Sequence, residues 1–546
     1  MLSPLGDRTA EKTTTARWEW IAAIGLTVAV AALHAVRLLH AGGLWRDEAG
    51  AARLAMMPTV REIFGLFQHE AFPLLFPVTI RTWMAVVGGG DAALRAFGLL
   101  VGLALVGVLW WNARAWGTVP LVSLALLGLS VPVLIYGDSV RGYGLGSVLL
   151  LLMLGLLARA LSPQAPVAVL AALPVVAVAC VQVVLSNSAL LGALCGAAIV
   201  VAAIRRRWGL AAWIFGSGAL AALSLLPYAA SLAAARQQWS MIVTYPIQLI
   251  RIWHGFQETV GPRLVLGGWL VLLGVGLAVA LIRRQDPISP DRSLFAALTI
   301  VFALVADGVF LKTLGYRPRA WYYVPLMALL AGALDAVWAR SGGRRLDAVR
   351  AAVVVLVIGA QCVPLWQQAT LRQTNVDLVA ARVAAAAAPD DLVVVNSWYY
   401  GVSFNRYYTG PARWLTLPDI PDHRVHRYDL LKARMVSRSP IDDVLATIAA
   451  SLRSGHRVWL VGGADWPRPG ETVQALPPAP FTSEGWHDWP YATSWSRQLG
   501  AYLENHAGQL TPVAVPVDGP VSVLENLPLV VVTGWRDEVP ATSHSL

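Results

Sequence analysis

The stretch WEWIAAIGLTVAVAALHAVRLL (Trp18–Leu39), followed after a short Gly-Gly turn by Trp45-Arg46-Asp47-Glu48, decides how the rest of the chain is read. The apolar run meets the length of about 20 residues that a membrane-crossing helix requires. Arg8, Lys12 and Arg17 precede it, which sets its N-terminal end on the cytoplasmic side. Arg37 and His40 close it and no small-residue cleavage signature follows, so it reads as an uncleaved anchor. Asp47 and Glu48 then meet the membrane surface on the far side. A carboxylate at the edge of a low-dielectric region is basic, fixed and within reach of a polar substrate. The plainer reading of the pair is a solvated loop end.

Composition excludes an ordinary soluble domain. Of the 546 residues, 57% are hydrophobic and 14% charged, and the mean hydropathy is +0.58, which together indicate a polytopic α-helical membrane protein. Cys180, Cys195 and Cys362 all lie in apolar runs, where a thiol behaves as a small hydrophobe, so no disulfide framework or cysteine metal site is readable. The net charge of +10 argues for membrane lipids and against nucleic acid, because the basic residues cluster in short loops between apolar runs.

Further apolar runs lie near Ala96–Trp111, Val119–Tyr136, Tyr143–Leu161, Val167–Leu185, Ala189–Ile204, Leu210–Pro227, Leu264–Ile282, Leu294–Leu311, Ala320–Trp338 and Ala351–Trp366, giving about 11 transmembrane helices in all. With a cytoplasmic N-terminus, the inner loops carry Arg114, Arg159, Arg205-Arg206-Arg207, Arg283-Arg284 and Arg340, Arg344 and Arg345, as the positive-inside rule asks. Phe72–Val87 is short and holds Pro73 and Pro77. It reads as a juxtamembrane or re-entrant helix, since a full span there would reverse every later loop. The expected organisation is a transmembrane domain over residues 1–370 and an extracytoplasmic α/β domain over 371–546.

In that tail, Asp391–Ser397, His456–Gly463 and Leu527–Thr533 read as buried strands, and Val376–Ala388, Ile441–Ser454 and Ser494–His506 as helices. No Gly-rich phosphate loop or nucleotide fingerprint is present, and Gly462-Gly463 reads as a turn. Apart from its aromatic residues between Trp398 and Trp414, the tail shows little chemistry.

Polar residues concentrate in the outward loops. Asp47 and Glu48 share the first with Gln68-His69-Glu70, where His69-Glu70 lacks the second histidine of a zinc-protease signature and equally suits a hydrated helix start. The next holds Asp138-Ser139-Val140-Arg141-Gly142-Tyr143, whose Asp and Arg could form an intraloop ion pair. A later one sets Lys312, Arg317 and Arg319 beside Tyr316, Trp321, Tyr322 and Tyr323. Cations on the outer surface run against the positive-inside tendency, and a bound phosphate would explain them. Assembled, the pieces suggest one site, with carboxylates supplying a base and arginines holding an anionic leaving group.

Trp45–Gly50 (WRDEAG), His69–Phe76 (HEAFPLLF), Gly88–Gly98 (GGGDAALRAFG), Tyr136–Tyr143 (YGDSVRGY) and Arg317–Leu326 (RPRAWYYVPL), in this order over the first 370 residues, resemble bacterial GT-C fold glycosyltransferases that use polyprenyl-phosphate sugars, the protein mannosyltransferase and aminoarabinose transferase group. The resemblance implies an inverting integral-membrane transferase in the bacterial inner (cytoplasmic) membrane, multi-pass, with a cytoplasmic N-terminus and a periplasmic C-terminal domain. Its partners would be a polyprenyl-phosphate-linked sugar donor, membrane lipids and an extracytoplasmic acceptor (a glycolipid, a cell-envelope glycan or a protein). By the same resemblance Asp47 is the general base, Glu48 orients it or helps to hold a cation, and Arg141 and Arg319 bind the donor phosphate. His69 and Glu70 face sugar or acceptor, and Asp138, Tyr143, Lys312, Tyr316, Arg317 and Tyr322 complete the expected substrate contacts. A divalent cation (Mg or Mn) is a possible cofactor. The family's paired prolines are reduced to Pro73 here, with Phe72 before it, which bears on the acceptor groove. The alternatives are a lipid or sugar transporter or flippase, which should show repeats and ionisable residues at mid-span such as Asp307, and a non-catalytic assembly subunit, which would tolerate Asp47→Asn.

Overall fold

The computed structural model describes residues 5–239, 248–282, 290–314, 318–339, 343–468, 471–481 and 485–537. Tyr316 and Arg317, with the loop residues Arg283, Arg284 and Arg340, lie outside the described residues. The chain divides into two compact units. One holds the segment ending at His40, Phe72–Ala229 and the chain up to Thr370, and the other joins Ala41–Ala71 to the chain from Leu371 onward. The sequence boundaries had put Ala41–Ala71 with the first unit.

Among the described residues of the helical part, nine helices are long and apolar enough to cross a membrane: Arg17–His40, Asp91–Trp116, Gly142–Ala160, Asn187–Ile204, Trp208–Gln237, Arg263–Ala280, Asp291–Leu314, Ala320–Trp338 and Arg345–Ala369. This is a membrane protein. Gly142–Ala160 and Ala320–Trp338 are the most enclosed, whereas Trp18, Val28, Phe215, Leu264, Val305 and Val355 stand exposed on the outer helices. So much exposed apolar surface suits lipid and would be a liability in water. Backbone-directed polar side chains join the helices, as where Asn112 Nδ2 donates to the Leu151 carbonyl at 2.8 Å and Arg159 to the Trp111 carbonyl at 2.7 Å.

Two expected spans are modified. Val167–Val183 forms a helix but a short one; Leu75–Val86, not counted among the spans, is a 12-residue helix after Pro73. The run 119–136 is interrupted: a turn at Leu121–Ser123 passes into π-helical Leu124–Gly128, the chain breaks, and Val133–Gly137 resumes. Pro132, lacking an amide N–H, stands at the start of the resumed piece. The N-terminus of the first piece is capped from another helix. Asp335 Oδ1 accepts from the Val122 and Ser123 amides at 3.1 and 3.2 Å, and its other oxygen binds the Ser123 hydroxyl. Asp335 is therefore a second acidic residue deep in an apolar run beside Asp307, and its role is structural.

In the other unit, strands β1 (Leu392–Val395), β2 (Arg413–Thr416), β3 (Val458–Val461), β4 (Ala507–Val513) and β5 (Leu529–Trp535) form one sheet in the order β2-β1-β3-β5-β4. β2, β1 and β3 are parallel, while β5 runs antiparallel to both β3 and β4. β1 and β3 are apolar at every position because both faces are covered. Leu392, Val394 and Leu460 pack with residues of helices Asp442–Arg453 and Asp488–His506, and Val393, Val395 and Val461 with helix Val376–Ala386 and Phe404. This is the expected α/β layering. β2 and the partly exposed edge strand β4 carry little apolar pattern, and the sequence did not reveal them. Gly462 has φ +91°, and a Cβ there would sit 1.8 Å from the Asn396 carbonyl oxygen, so the turn after β3 requires glycine.

Candidate functional site

The Ala41–Ala71 segment is bound to the sheet domain by backbone contacts within their common unit. Gln373 N–H donates to the Ala41 carbonyl at 2.8 Å, and Arg46 N–H to Glu525 Oε2 at 3.1 Å. Glu525 is fully buried; its Oε1 accepts from Thr374 at 3.0 Å and Ser403 at 2.8 Å. Burial pushes its carboxyl up to about 7, against the pull of Arg46. Arg46 in turn lies over the Tyr399 ring, 4.5 Å from the centroid.

Arg46–Ala55 forms a helix whose first turn carries Asp47 and Glu48. Consecutive helical residues diverge by about 100°, so the two side chains leave the helix in different directions. Glu48 is buried at 1% exposure, while the Asp47 carboxylate is partly open, with side-chain exposure of 18%. Arg46 Nε lies 3.8 Å and His426 Nε2 4.0 Å from Asp47 Oδ1. The opposite ring nitrogen of His426, Nδ1, is hydrogen-bonded to Glu70 Oε1 at 2.9 Å. An imidazole thus stands between the two carboxylates. Gly50, one turn on from Asp47, makes room for this, since a Cβ there would lie 2.9 Å from Glu70 Oε1.

His69 is buried beside this group, with Nδ1 3.9 Å from Asp429 Oδ1. Burial holds His69 below the usual imidazole range despite Asp429. Arg427 grips Asp429 with two bonds of 2.8 and 2.6 Å and reaches Asp422 at 2.7 Å. Burial alone would raise Asp422, but hydrogen bonds from Arg424 and Arg427 hold it well below the carboxylate range. His426 and this charged rim come from the tail that seemed poor in chemistry. The run His423-Arg-Val-His426-Arg-Tyr-Asp429 was a visible signal, since two histidines and alternating charges outside any apolar pattern lack a core role.

The remaining expected residues fall in the helical unit. Arg141 stands at the residue before helix Gly142–Ala160 and lies over Phe72, 4.5 Å from its centroid. Phe72 also meets Tyr143 at 6.1 Å, and Tyr143 meets Trp321 and Tyr322 at 6.4 and 6.1 Å. Phe72 is therefore an arginine platform. Arg319 is exposed at the N-terminus of helix Ala320–Trp338, and Lys312 is exposed in the last turn of helix Pro290–Leu314. Asp138 turns inward to His34, with Oδ2 2.6 Å from Nδ1. Gly98 and Gly102 admit it, since a Cβ at either would collide with the Asp138 carbonyl or carboxylate.

Among the described residues no three His, Cys, Asp or Glu side chains converge as metal ligands.

No protein-family model and no curated protein sequence matches the chain. Solved structures do. ArnT from Cupriavidus metallidurans bound to undecaprenyl phosphate aligns over 93% of this chain and 97% of its own, with a TM-score of 0.53 at 15% identity. The apo state of the same protein gives 0.51 at 14% over the same shares. The chain has the ArnT fold. ArnT is an aminoarabinose transferase of the GT-C fold, and the agreement in fold extends through the sheet domain, where the sequence offered no motif to match. An ArnT-like fold accommodates both the bundle of apolar helices and the small C-terminal sheet.

Proposed function

We propose that the protein is an integral-membrane glycosyltransferase that moves a sugar from a polyprenyl-phosphate donor to an extracytoplasmic acceptor. The observation that carries this is the ArnT fold over nearly the full length of both chains, together with a base-type carboxylate in the segment where the WRDEAG motif predicts one. The ArnT structure's undecaprenyl phosphate suggests the donor's lipid carrier. The reading sets the protein in the bacterial inner membrane, with its N-terminus cytoplasmic and its sheet domain periplasmic.

In this reaction Asp47 takes the proton of an acceptor hydroxyl or amine. The acceptor atom bonds to the anomeric carbon as the bond to phosphate oxygen breaks, and the electron pair leaves on polyprenyl phosphate. One in-line displacement inverts the anomeric configuration. Arg141, held on Phe72, and Arg319, where a helix N-terminus adds its own positive end, are the cations proposed to take up the departing charge. Tyr143 and Tyr322 bind beside Arg141, and His69 and Glu70 face sugar or acceptor.

The test compares wild type with Asp47→Asn in nanodiscs, supplied with polyprenyl-phosphate sugars and a crude membrane-lipid acceptor pool, following polyprenyl phosphate by mass spectrometry. Release by wild type alone supports the assignment, and the acceptor's mass gain identifies the sugar. Normal turnover by Asp47→Asn would remove Asp47 from the mechanism.

A further inference from the structure

His426 was assigned nothing by sequence, yet it is buried at 6% exposure and touches the charged group on both sides. Its Nδ1 lies 2.9 Å from Glu70 Oε1 and its Nε2 4.0 Å from Asp47 Oδ1. We propose that His426 is a positioning residue that links Asp47 and Glu70 into a proton relay, receiving the proton that Asp47 takes from the acceptor. The proposal rests on the transferase reading.

The ring is held so that this is its natural chemistry. Trp398 meets it edge-on at 6.2 Å and Tyr428 lies nearly parallel at 6.1 Å, which fixes its plane. Glu70 is a carboxylate and can only accept when ionised, so Nδ1 carries the hydrogen and Nε2 presents its lone pair toward Asp47. The charged and titratable neighbours are Asp47 with Arg46 on one side, Glu70 with His69, Asp429 and Arg427 beyond it on the other, and the Tyr428 phenol. The step balances. The acceptor proton passes to Asp47 as the glycosidic bond forms and the phosphate leaves; the proton then moves from Asp47 to Nε2, and the imidazolium is stabilised by Glu70 until solvent takes the proton through the partly open Asp47. A separation of 4.0 Å exceeds a hydrogen bond, but such contacts commonly tighten when substrate binds.

A histidine that merely ties the first loop to the sheet domain would show none of this coupling. The test uses the full-length protein in nanodiscs with isotope-labelled histidine rings. The His426 signal is identified by its loss in His426→Gln, and its titration is compared between wild type and Asp47→Asn. Because the carboxylate removed lies 4.0 Å from Nε2, the His426 titration should move between wild type and Asp47→Asn if the two groups share a proton. In parallel, release of polyprenyl phosphate from a polyprenyl-phosphate-linked pentose and hexose should lose at least about tenfold in kcat in His426→Gln, with donor KM unchanged and the acidic limb of the pH profile displaced. An unmoved His426 titration, or an unchanged kcat and pH profile in His426→Gln, overturns the relay. If no protein releases polyprenyl phosphate while the titrations remain coupled, the transferase reading fails and the coupled triad stands.

Discussion

Gly50→Ala separates the geometry of the carboxylate–imidazole group from its composition, because it changes no titratable residue. The added Cβ would lie 2.9 Å from Glu70 Oε1 and 3.6 Å from Val402 Cγ1. Ordinary contact begins near 3.4 Å, so the end of the Glu70 side chain must yield by about half an ångström. The Glu70–His426 contact of 2.9 Å then stretches beyond the usual N–H···O limit of about 3.2 Å. A hydrogen bond to a charged group contributes about 1.5–3 kcal/mol, and each 1.36 kcal/mol in the barrier is a factor of about ten. Since the bond is stretched rather than removed, the loss in kcat should sit near the lower end, about tenfold. Stability should change little, because the preference for alanine over glycine in a helix interior, about 1 kcal/mol, offsets most of what the stretched bond loses. Polyprenyl phosphate release and thermal unfolding of the full-length protein give the two readings. Full activity in a protein that unfolds at or above the wild-type temperature would refute the claim that Glu70 acts through His426.

Arg319→Ala removes a proposed donor-phosphate contact. Apparent donor KM should rise and kcat fall, together costing about 1.5–3 kcal/mol in kcat/KM, measured as initial rates of polyprenyl phosphate release over a donor concentration series. Glu525→Gln tests the buried carboxyl beneath Arg46. Its folded value, raised to about 7, means the native state holds a proton that the unfolded chain has released, so this group's contribution falls as pH rises from about 4.5 to about 7. His423, pushed down to about 4 by burial, contributes the opposite slope, its stabilisation being lost as pH falls from about 6.5 to about 4. Hydrogen exchange of the β5 amides at pH 5 and pH 7 should therefore show a smaller pH penalty in Glu525→Gln than in wild type, and an identical pH response in the two would refute the burial argument.

The sequence determined whatever depends on neighbours along the chain. Apolar runs of bilayer length with cationic flanks showed a polytopic helical protein, because burying a backbone in lipid leaves few options besides a helix. β1 and β3 were legible as short apolar runs between turns, since a strand covered on both faces must be apolar throughout, and β5 by its opening Leu-Val-Val-Val. Asp47 stood out because a carboxylate directly after a bilayer-length apolar run is placed where it can act as a base. Only the tertiary structure decided how such residues are used. Asp47 and Glu48, adjacent in sequence, point apart because a helix turns between them, and the acid with which Asp47 shares an imidazole is Glu70. The run around His426 was visible, but its pairing was hidden because 356 residues separate it from Glu70, and no periodicity or motif spans that distance. Asp138, read beside Arg141, finds His34 across 104 residues, through a gap that Gly98 and Gly102 leave open. Asp335 became a helix cap for the same reason. Local order follows from periodicity and propensity, whereas pairing between distant polar groups is set by which helices and strands pack together, and that is a property of the whole fold.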